Sequence, residues 1–146
     1  MLLLAGCGRG DDRLHFFLVD DWTGRLVPVE TAAREPRALL RELAFAEPSD
    51  GLVSELPRGT KLDSFVVRDR VAYAALRGPR PMPRREFHLS AQVVYTLTEH
   101  PGIDAVVLRV NGRRCCVYTK TSPRRPWPKP LDRKLFAGWS GAPESR

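Results

Sequence analysis

The stretch AQVVYTLTEHPGIDAVVLRVNGR, residues 91–113, decides the fold, because it holds a helix pattern, a helix stop and a hairpin pattern in succession. Apolar residues recur at helical spacing from Phe87 to His100, and Pro101-Gly102 ends that pattern. The spacing predicts a helix over residues 87–100. Its core-facing side chains are expected to be Leu89, Val93, Val94 and Leu97.

A β-hairpin is predicted directly after this helix. Val106, Leu108 and Val110 alternate along one face of a strand, and Asn111-Gly112 is the strongest two-residue signal for a hairpin turn. The returning strand should run from Arg113 to Tyr118. A two-residue turn fixes the register, and the expected pairs are Val110 with Arg113, Leu108 with Cys115, and Val106 with Val117.

The N-terminal end predicts another hairpin. LHFFLVD, Leu14–Asp20, is aromatic and β-branched, and a polar turn leads into a second strand over Arg25–Glu30. Pro28 has no N–H for a ladder. The second strand should therefore lie at a sheet edge or have its N–H side free.

Two helices and a third hairpin are predicted between these ends. Pro36 suits the first turn of a helix striped by Leu39, Leu40 and Leu43. Asp50 suits the cap of a short second helix that buries Leu52, Val53 and Leu56. Strands over Lys61–Arg68 and Val71–Leu76 meet at Asp69-Arg70, and the proline-rich stretch Gly78–Pro83 must be a loop.

These elements predict an α/β (α+β) fold, in which a small mixed or antiparallel sheet of about six strands, arranged in hairpins, packs with two to three helices. The domain should span residues 14–119. Residues 1–13 and 120–146 are expected to lie outside it.

The formal net charge of +7 lies at one end of the chain. Residues 113–146 carry nine lysines and arginines against Asp132 and Glu144, and the preceding residues balance. Arginine greatly outnumbers lysine, a bias that high-GC coding produces without selection for anion binding.

From Lys120 onward, proline-rich composition favours an extended, mobile tail. In an exported protein such a tail would meet phospholipid headgroups or wall polymers, although a solvated tail is the simpler interpretation, and we do not expect nucleic acid as a partner. The candidate anion contacts are Arg124, Arg125, Lys129, Arg133 and Lys134.

The first residues resemble the end of a bacterial lipoprotein signal. Leu4, Ala5 and Gly6 precede Cys7, which is the small-residue pattern before a lipidated cysteine, and a polar tether follows. An export signal also needs a charged region and an apolar run, and the residues before Cys7 contain neither. We therefore expect either a start codon further upstream or a protein that stays inside the cell. The first alternative predicts a protein lipid-anchored through Cys7 on the extracytoplasmic face of the cell membrane.

No catalytic or metal motif is evident among the candidate residues. His15, His88 and His100 lack acidic or thiol partners at the spacing of a triad or a zinc site, and we expect no metal or other cofactor. Cys115 and Cys116 should point to opposite sides of a strand, with Cys115 in the core and Cys116 either covered or a free thiol.

Three stretches of the chain resemble the GerMN domain, the sporulation and spore germination domain of bacterial envelope proteins, over about residues 14–114. They are FFLVDDWTGRLVPVE (Phe16–Glu30), GLVSELPRGTKL (Gly51–Leu62) and the opening stretch, Ala91–Arg113. The resemblance implies an α/β fold related to ring-building motifs and a role in envelope assembly or signalling. It implies no catalytic residues. Similar domains occur in lipoproteins, including actinobacterial ones.

The sequence thus favours a non-enzymatic envelope lipoprotein that acts as a protein-binding or scaffold module for an unidentified protein partner. Pro28, Tyr95 and His100 mark the predicted partner surface. Two alternatives stay open: an enzyme or hydrolase accessory acting on envelope material, and a cytoplasmic anion or nucleic-acid binder that works through the basic tail.

Overall fold

Two β-sheets pack with three helices in the computed structural model, which describes residues 13–79, 85–121 and 123–143. The elements are β1 (Leu14–Asp20), β2 (Leu26–Thr31), α1 (Pro36–Phe45), β3 (Leu52–Val53), β4 (Lys61–Arg68), β5 (Val71–Arg77), α2 (Glu86–Leu97), β6 (Ala105–Val110), β7 (Arg113–Arg114) and α3 (Arg133–Phe136).

The first sheet has the antiparallel order β2-β1-β3, and the second has the order β4-β5-β6-β7. In the second sheet β5 and β6 run parallel, with α2 as the crossover between them. The predicted α+β class is confirmed.

Helix α2 lies at the centre of the molecule. Every residue from Leu89 to Leu97 is buried, and the helix contacts β1, β6, α1 and α3. In a helix buried on all sides, most polar side chains need hydrogen-bond partners within the protein. The helix predicted over residues 87–100 is confirmed, although its regular part ends at Leu97.

Two buried polar side chains of α2 complete the hydrogen bonding of β1. Strand β3 pairs with β1 only at Val19 and Asp20, so no described strand flanks the earlier part of β1 on that side. There the N–H of Phe17 donates to Thr96 Oγ1 at 3.0 Å, and the carbonyl of Phe17 accepts from Gln92 Nε2 at 2.8 Å. The helix thus takes the place of a neighbouring strand.

Pro28 lies opposite Phe17 in the β1–β2 register. The N–H and the carbonyl of Phe17 both bind α2, so Phe17 and Pro28 make no hydrogen bond to each other. The missing N–H of Pro28 therefore leaves no acceptor of β1 without a partner. Strand β2 is also the edge strand of its sheet. The predicted position of Pro28 is therefore confirmed.

The short helix predicted after Asp50 is wrong. Asp50 and Gly51 have φ values of +51° and +77°, and Ser49 and Leu52 exchange backbone hydrogen bonds of 3.1 and 2.8 Å. Positive φ at both central residues is the geometry of a two-residue hairpin turn and is incompatible with a helix start. Leu52 and Val53 therefore form β3, while Leu56 is buried as expected.

The last hairpin follows its predicted register for two pairs and then departs from it. Val110 pairs with Arg113, and the Cys115 N–H donates to the carbonyl of Leu108 at 2.9 Å. Val106, however, exchanges hydrogen bonds of 2.8 and 2.7 Å with Leu131 rather than facing Val117. The incoming C-terminal segment occupies this position beside β6, so the regular strand β7 ends at Arg114.

Cys115 and Cys116 follow the end of β7, and both side chains are buried with their sulfur atoms in contact. The prediction that they face opposite sides is wrong, since strand alternation stops before them. Cys115 is in the core as expected.

The C-terminal segment is part of the folded domain. Leu131 and Phe136 belong to the hydrophobic core, with side-chain exposures of 4% and 0%, and Trp127 and Trp139 pack against it. Asp132 caps α3 by accepting from the Leu135 N–H at 3.0 Å. The expectation of an extended tail is therefore wrong for the described residues beyond Lys120. Their large apolar side chains give the segment enough buried surface to fold.

The substitution Gln92→Leu should destabilise the protein strongly. It would leave the buried carbonyl of Phe17 and the N–H of Glu55, which donates to Gln92 Oε1 at 2.8 Å, without partners. The free energy of unfolding should fall by about 1 to 3 kcal/mol in urea denaturation. The control Glu42→Leu, at an exposed position of α1, should change it by less than about 0.5 kcal/mol. Equal stability of the two variants would contradict the role given to Gln92.

Truncating Phe136 tests whether the C-terminal segment is part of the core. Phe136→Ala should lower the free energy of unfolding by about 3 to 5 kcal/mol, because the side chain is fully buried. Lys129→Ala, at an exposed position of the same segment, should be nearly neutral. A neutral Phe136→Ala variant would show that the segment is not docked.

Candidate functional site

A concave cleft of about 910 Å³ lies between β2, the C-terminal end of α2 and the segment that contains α3. Leu26, Val27 and Pro28 of β2 form one wall. Phe17 and Tyr95 contribute aromatic rings, whose centroids lie 5.5 Å apart. The cleft exists because the C-terminal segment folds back along β2, where the Leu26 N–H donates to the carbonyl of Gly141 at 2.8 Å.

Arg133 is held rigidly at the side of this cleft. Its guanidinium donates to Thr98 Oγ1 at 2.7 Å, to the Tyr95 carbonyl at 3.0 Å and to Glu99 Oε2 at 3.0 Å. It also lies over the rings of Tyr95 and Phe17, at 4.8 and 5.8 Å from their centroids. A cation at the C-terminal end of a helix also interacts favourably with the helix dipole. Arg133 therefore joins α3 to α2 and presents a fixed charge.

Among the described residues, the cleft lining carries more positive than negative charge. Arg25, Arg133 and Lys134 line this part of it together with one carboxylate, Glu99. Glu99 is shared, because its Oε1 also lies 2.8 Å from His15 Nδ1. The cleft is therefore suited to a ligand group that carries a negative charge.

Tyr95 supplies a neutral phenol to the cleft. Burial raises the pKa of Tyr95 above its ordinary value, and the charge of Arg133 only partly opposes this rise. The ring is almost fully buried and stays protonated at physiological pH. It therefore offers apolar surface beside the fixed cation.

Four of the residues selected from the sequence meet in this cleft: Pro28, Tyr95, Arg133 and Lys134. Arg25 and Glu99 also line it and were missed. No sequence signal links Arg25 to residues more than a hundred positions away, because their proximity depends on the folded-back C-terminal segment.

The other selected residues lie elsewhere. Arg124, Arg125 and Lys129 are exposed on the segment that precedes Leu131, and the Arg124 guanidinium lies 5.6 Å from the centroid of the Tyr118 ring. His100 lines a separate concavity of about 490 Å³ with Phe65. The lipobox residues Leu4, Ala5, Gly6 and Cys7 lie outside the described residues, as do residues 80–83 of the predicted proline loop.

The three histidines occupy separate surroundings. His15 pairs with Glu99, and His100 Nδ1 accepts from the Gly102 N–H at 3.0 Å. The His88 ring packs 5.0 Å from the Trp139 ring, and burial, followed by the charge of Arg85, lowers the pKa of His88. Among residues 13–79, 85–121 and 123–143, no group of three or more His, Cys, Asp or Glu side chains is placed to hold a metal ion.

A membrane-spanning helix is also not found in the described part of the chain, where no helix has the necessary length and apolar character.

Solved structures share this fold. The first GerMN domain of the sporulation protein GerM from Bacillus subtilis is 23% identical, with a TM-score of 0.61 over 84% of this chain and 98% of that one. The tandem GerMN domains of the same protein are 21% identical, with a TM-score of 0.59. The match covers 84% of this chain and 46% of the tandem-domain chain. A sequence comparison with curated proteins gives no match.

These likenesses define the fold as that of a GerMN domain. The model of the Germane family, described as sporulation and spore germination, matches residues 14–115. This chain belongs to that family.

Proposed function

We propose that this protein is a non-enzymatic binding module of the bacterial cell envelope, which holds a protein partner through the cleft between β2, α2 and α3. The observation that carries the proposal is the convergence of Pro28, Tyr95, Arg133 and Lys134 on one concavity of about 910 Å³. Concave sites with apolar walls and a few fixed polar groups are typical of binding. The family's connection with sporulation and germination supports a role in envelope assembly or signalling.

The chemistry of the cleft describes the partner segment that it would hold. Arg25 and Lys134 are exposed cations, and the fixed guanidinium of Arg133 lies behind them. Val27, Pro28 and Tyr95 supply apolar surface beside these charges. The fitting segment therefore carries a carboxylate next to an apolar side chain.

A lipid on Cys7 would place this cleft at the extracytoplasmic face of the cell membrane. The chain from Cys7 to Leu14, at the start of β1, reaches at most about 25 Å. The domain would then work close to the lipid headgroups. Arg124, Arg125 and Lys129 are exposed and suited to contact anionic lipid or wall polymer there.

The cleft is tested by site-specific photo-crosslinking in living cells. A photoreactive amino acid at position 134 should crosslink one envelope protein, whereas the same group at position 41, on the exposed face of α1, should not. With that partner purified, the double variant Arg25→Glu/Lys134→Glu should bind at least about tenfold more weakly, because two attractions become repulsions.

Arg41→Glu/Arg37→Glu makes the same change of net charge at exposed positions of α1 and should bind like the wild type. The proposal fails if positions 134 and 41 give the same crosslinks, or if the cleft variant binds normally. Turnover of peptidoglycan or ester substrates that disappears with a histidine variant would establish the enzymatic alternative instead.

The anchor is tested by cell fractionation and by metabolic labelling with an alkyne fatty acid. The wild-type protein should carry the label, sediment with membranes and be cleaved by protease added outside the cell membrane. Cys7→Ser should lose the label and become soluble, and Arg9→Ser, which leaves the lipobox intact, should behave like the wild type. A soluble cytoplasmic pool of the wild-type protein would refute the anchor.

A further inference from the structure

The second sheet has an open outer face, defined as the side of β4, β5, β6 and β7 that points away from the core. Strand alternation turns Ala72, Ala74 and Leu76 of β5 inward, where they are buried. Tyr73 therefore points outward, and it is 44% exposed.

An apolar row crosses this outer face. Tyr73 pairs with Val66 of β4 on one side and with Val107 of β6 on the other. Val66 is 42% exposed, so a large aliphatic side chain stands beside the tyrosine ring in solvent. Val71 and Ala75 extend the apolar surface along β5, and both are only half-buried.

Arginines surround this apolar row on the same face. Arg68 pairs with Val71, and Arg109 lies between Ala75 and Arg114 in the register. Within the described residues, no hydrogen bond or ion pair links Arg68, Arg109 or Arg114 to a carboxylate.

Two neighbouring arginines, in contrast, form ion pairs with carboxylates. Arg70 is paired with Asp104 at 2.6 Å, and Arg77 is paired with Asp63 at 3.4 Å. The three arginines of the outer face are therefore available to an external partner, in contrast to Arg133 of the cleft.

We infer that the outer face is a second interface, which docks an acidic surface of a partner protein. Tyrosine and arginine are the residue types most enriched where proteins bind each other, around a centre that excludes water. Guanidinium groups pair best with carboxylates in a bidentate geometry, so the matching surface presents Asp or Glu side chains around an apolar centre.

Two other occupants are separated from a partner protein by the test. A twofold dimer through the same face would bring the arginines of two copies together, and like charges repel. An anionic lipid layer would also satisfy the arginines, and binding to vesicles alone is the result that identifies it.

This interface is separate from the cleft, which is lined by α2 and α3 on the other side of the second sheet. A module with two independent binding surfaces can bridge two partners, which a module with one surface cannot. The inference does not depend on the cleft being a binding site.

The test uses the full-length protein with a photoreactive amino acid at position 73, expressed in its own cells. The expected product is a crosslink to a protein whose crosslinked peptide lies in an Asp- and Glu-rich surface. Position 41 on α1 is the control. With the captured partner purified, Arg68→Glu/Arg109→Glu should weaken binding at least about tenfold, and binding of the wild type should weaken as salt is raised.

Two further measurements make the result decisive. Reversing the facing carboxylates of the partner to lysine should restore binding to the Arg68→Glu/Arg109→Glu variant, while Arg37→Glu/Arg41→Glu should bind like the wild type. All substituted positions are exposed, and Arg37 donates one long hydrogen bond, at 3.3 Å to the Phe65 carbonyl, so the melting temperature should change little.

Several outcomes would overturn the inference: no crosslink at position 73 beyond the control, a crosslink only to a second copy with dimers in sedimentation equilibrium, or binding only to phosphatidylglycerol vesicles. A failure at position 73 with success at position 134 would leave the cleft proposal standing. The reverse result would leave the outer face standing alone.

Discussion

The structure depends on the hydrogen bonds that α2 makes to the backbone of β1. A buried N–H or carbonyl without a hydrogen-bond partner costs a substantial part of a domain's net stability. The backbone groups on the unpaired side of β1 therefore need partners from another element. Thr96 and Gln92 do this at a single residue, Phe17, from successive turns of the helix. These two hydrogen bonds fix the position of α2 relative to β1. Because α2 also packs against β6, the same contacts fix the two sheets relative to each other.

The cleft inherits its geometry from this arrangement. Tyr95 lies on α2 next to the residues that hold β1, and Glu99 follows the C-terminal end of the helix, so their positions relative to β2 are set by the same helix. Glu99 continues the pattern, since its Oε1 accepts from the N–H of His15 at 3.1 Å. Arg133 then binds Glu99 and the Tyr95 carbonyl, which attaches the C-terminal segment to the completed unit. The hydrogen bonds of the core therefore also position the side chains of the cleft.

The sequence predicted what short-range rules determine. The turn Asn111-Gly112, the start of α1 at Pro36 and the edge position of Pro28 each depend on backbone chemistry within a few residues, and each is confirmed. The helix proposed after Asp50 failed, because the same Asp residue suits a helix cap and a left-handed turn, and local sequence does not separate them. The pairing of Val106 with Leu131 joins residues far apart in the chain, and no local pattern specifies such a partner.

The basic C-terminal end shows why composition was a poor guide to the site. Its prolines and charges obscured the apolar residues Trp127, Leu131, Phe136 and Trp139, which hold it on the core. Folding then divides its charges, because Arg133 is used inside the protein, Lys134 lines the cleft, and Arg124 lies over an aromatic ring. Deleting residues 120–146 would remove core side chains together with the charges. Loss of binding in such a deletion would therefore report the loss of the fold, and only charge reversal at exposed positions can separate the two effects.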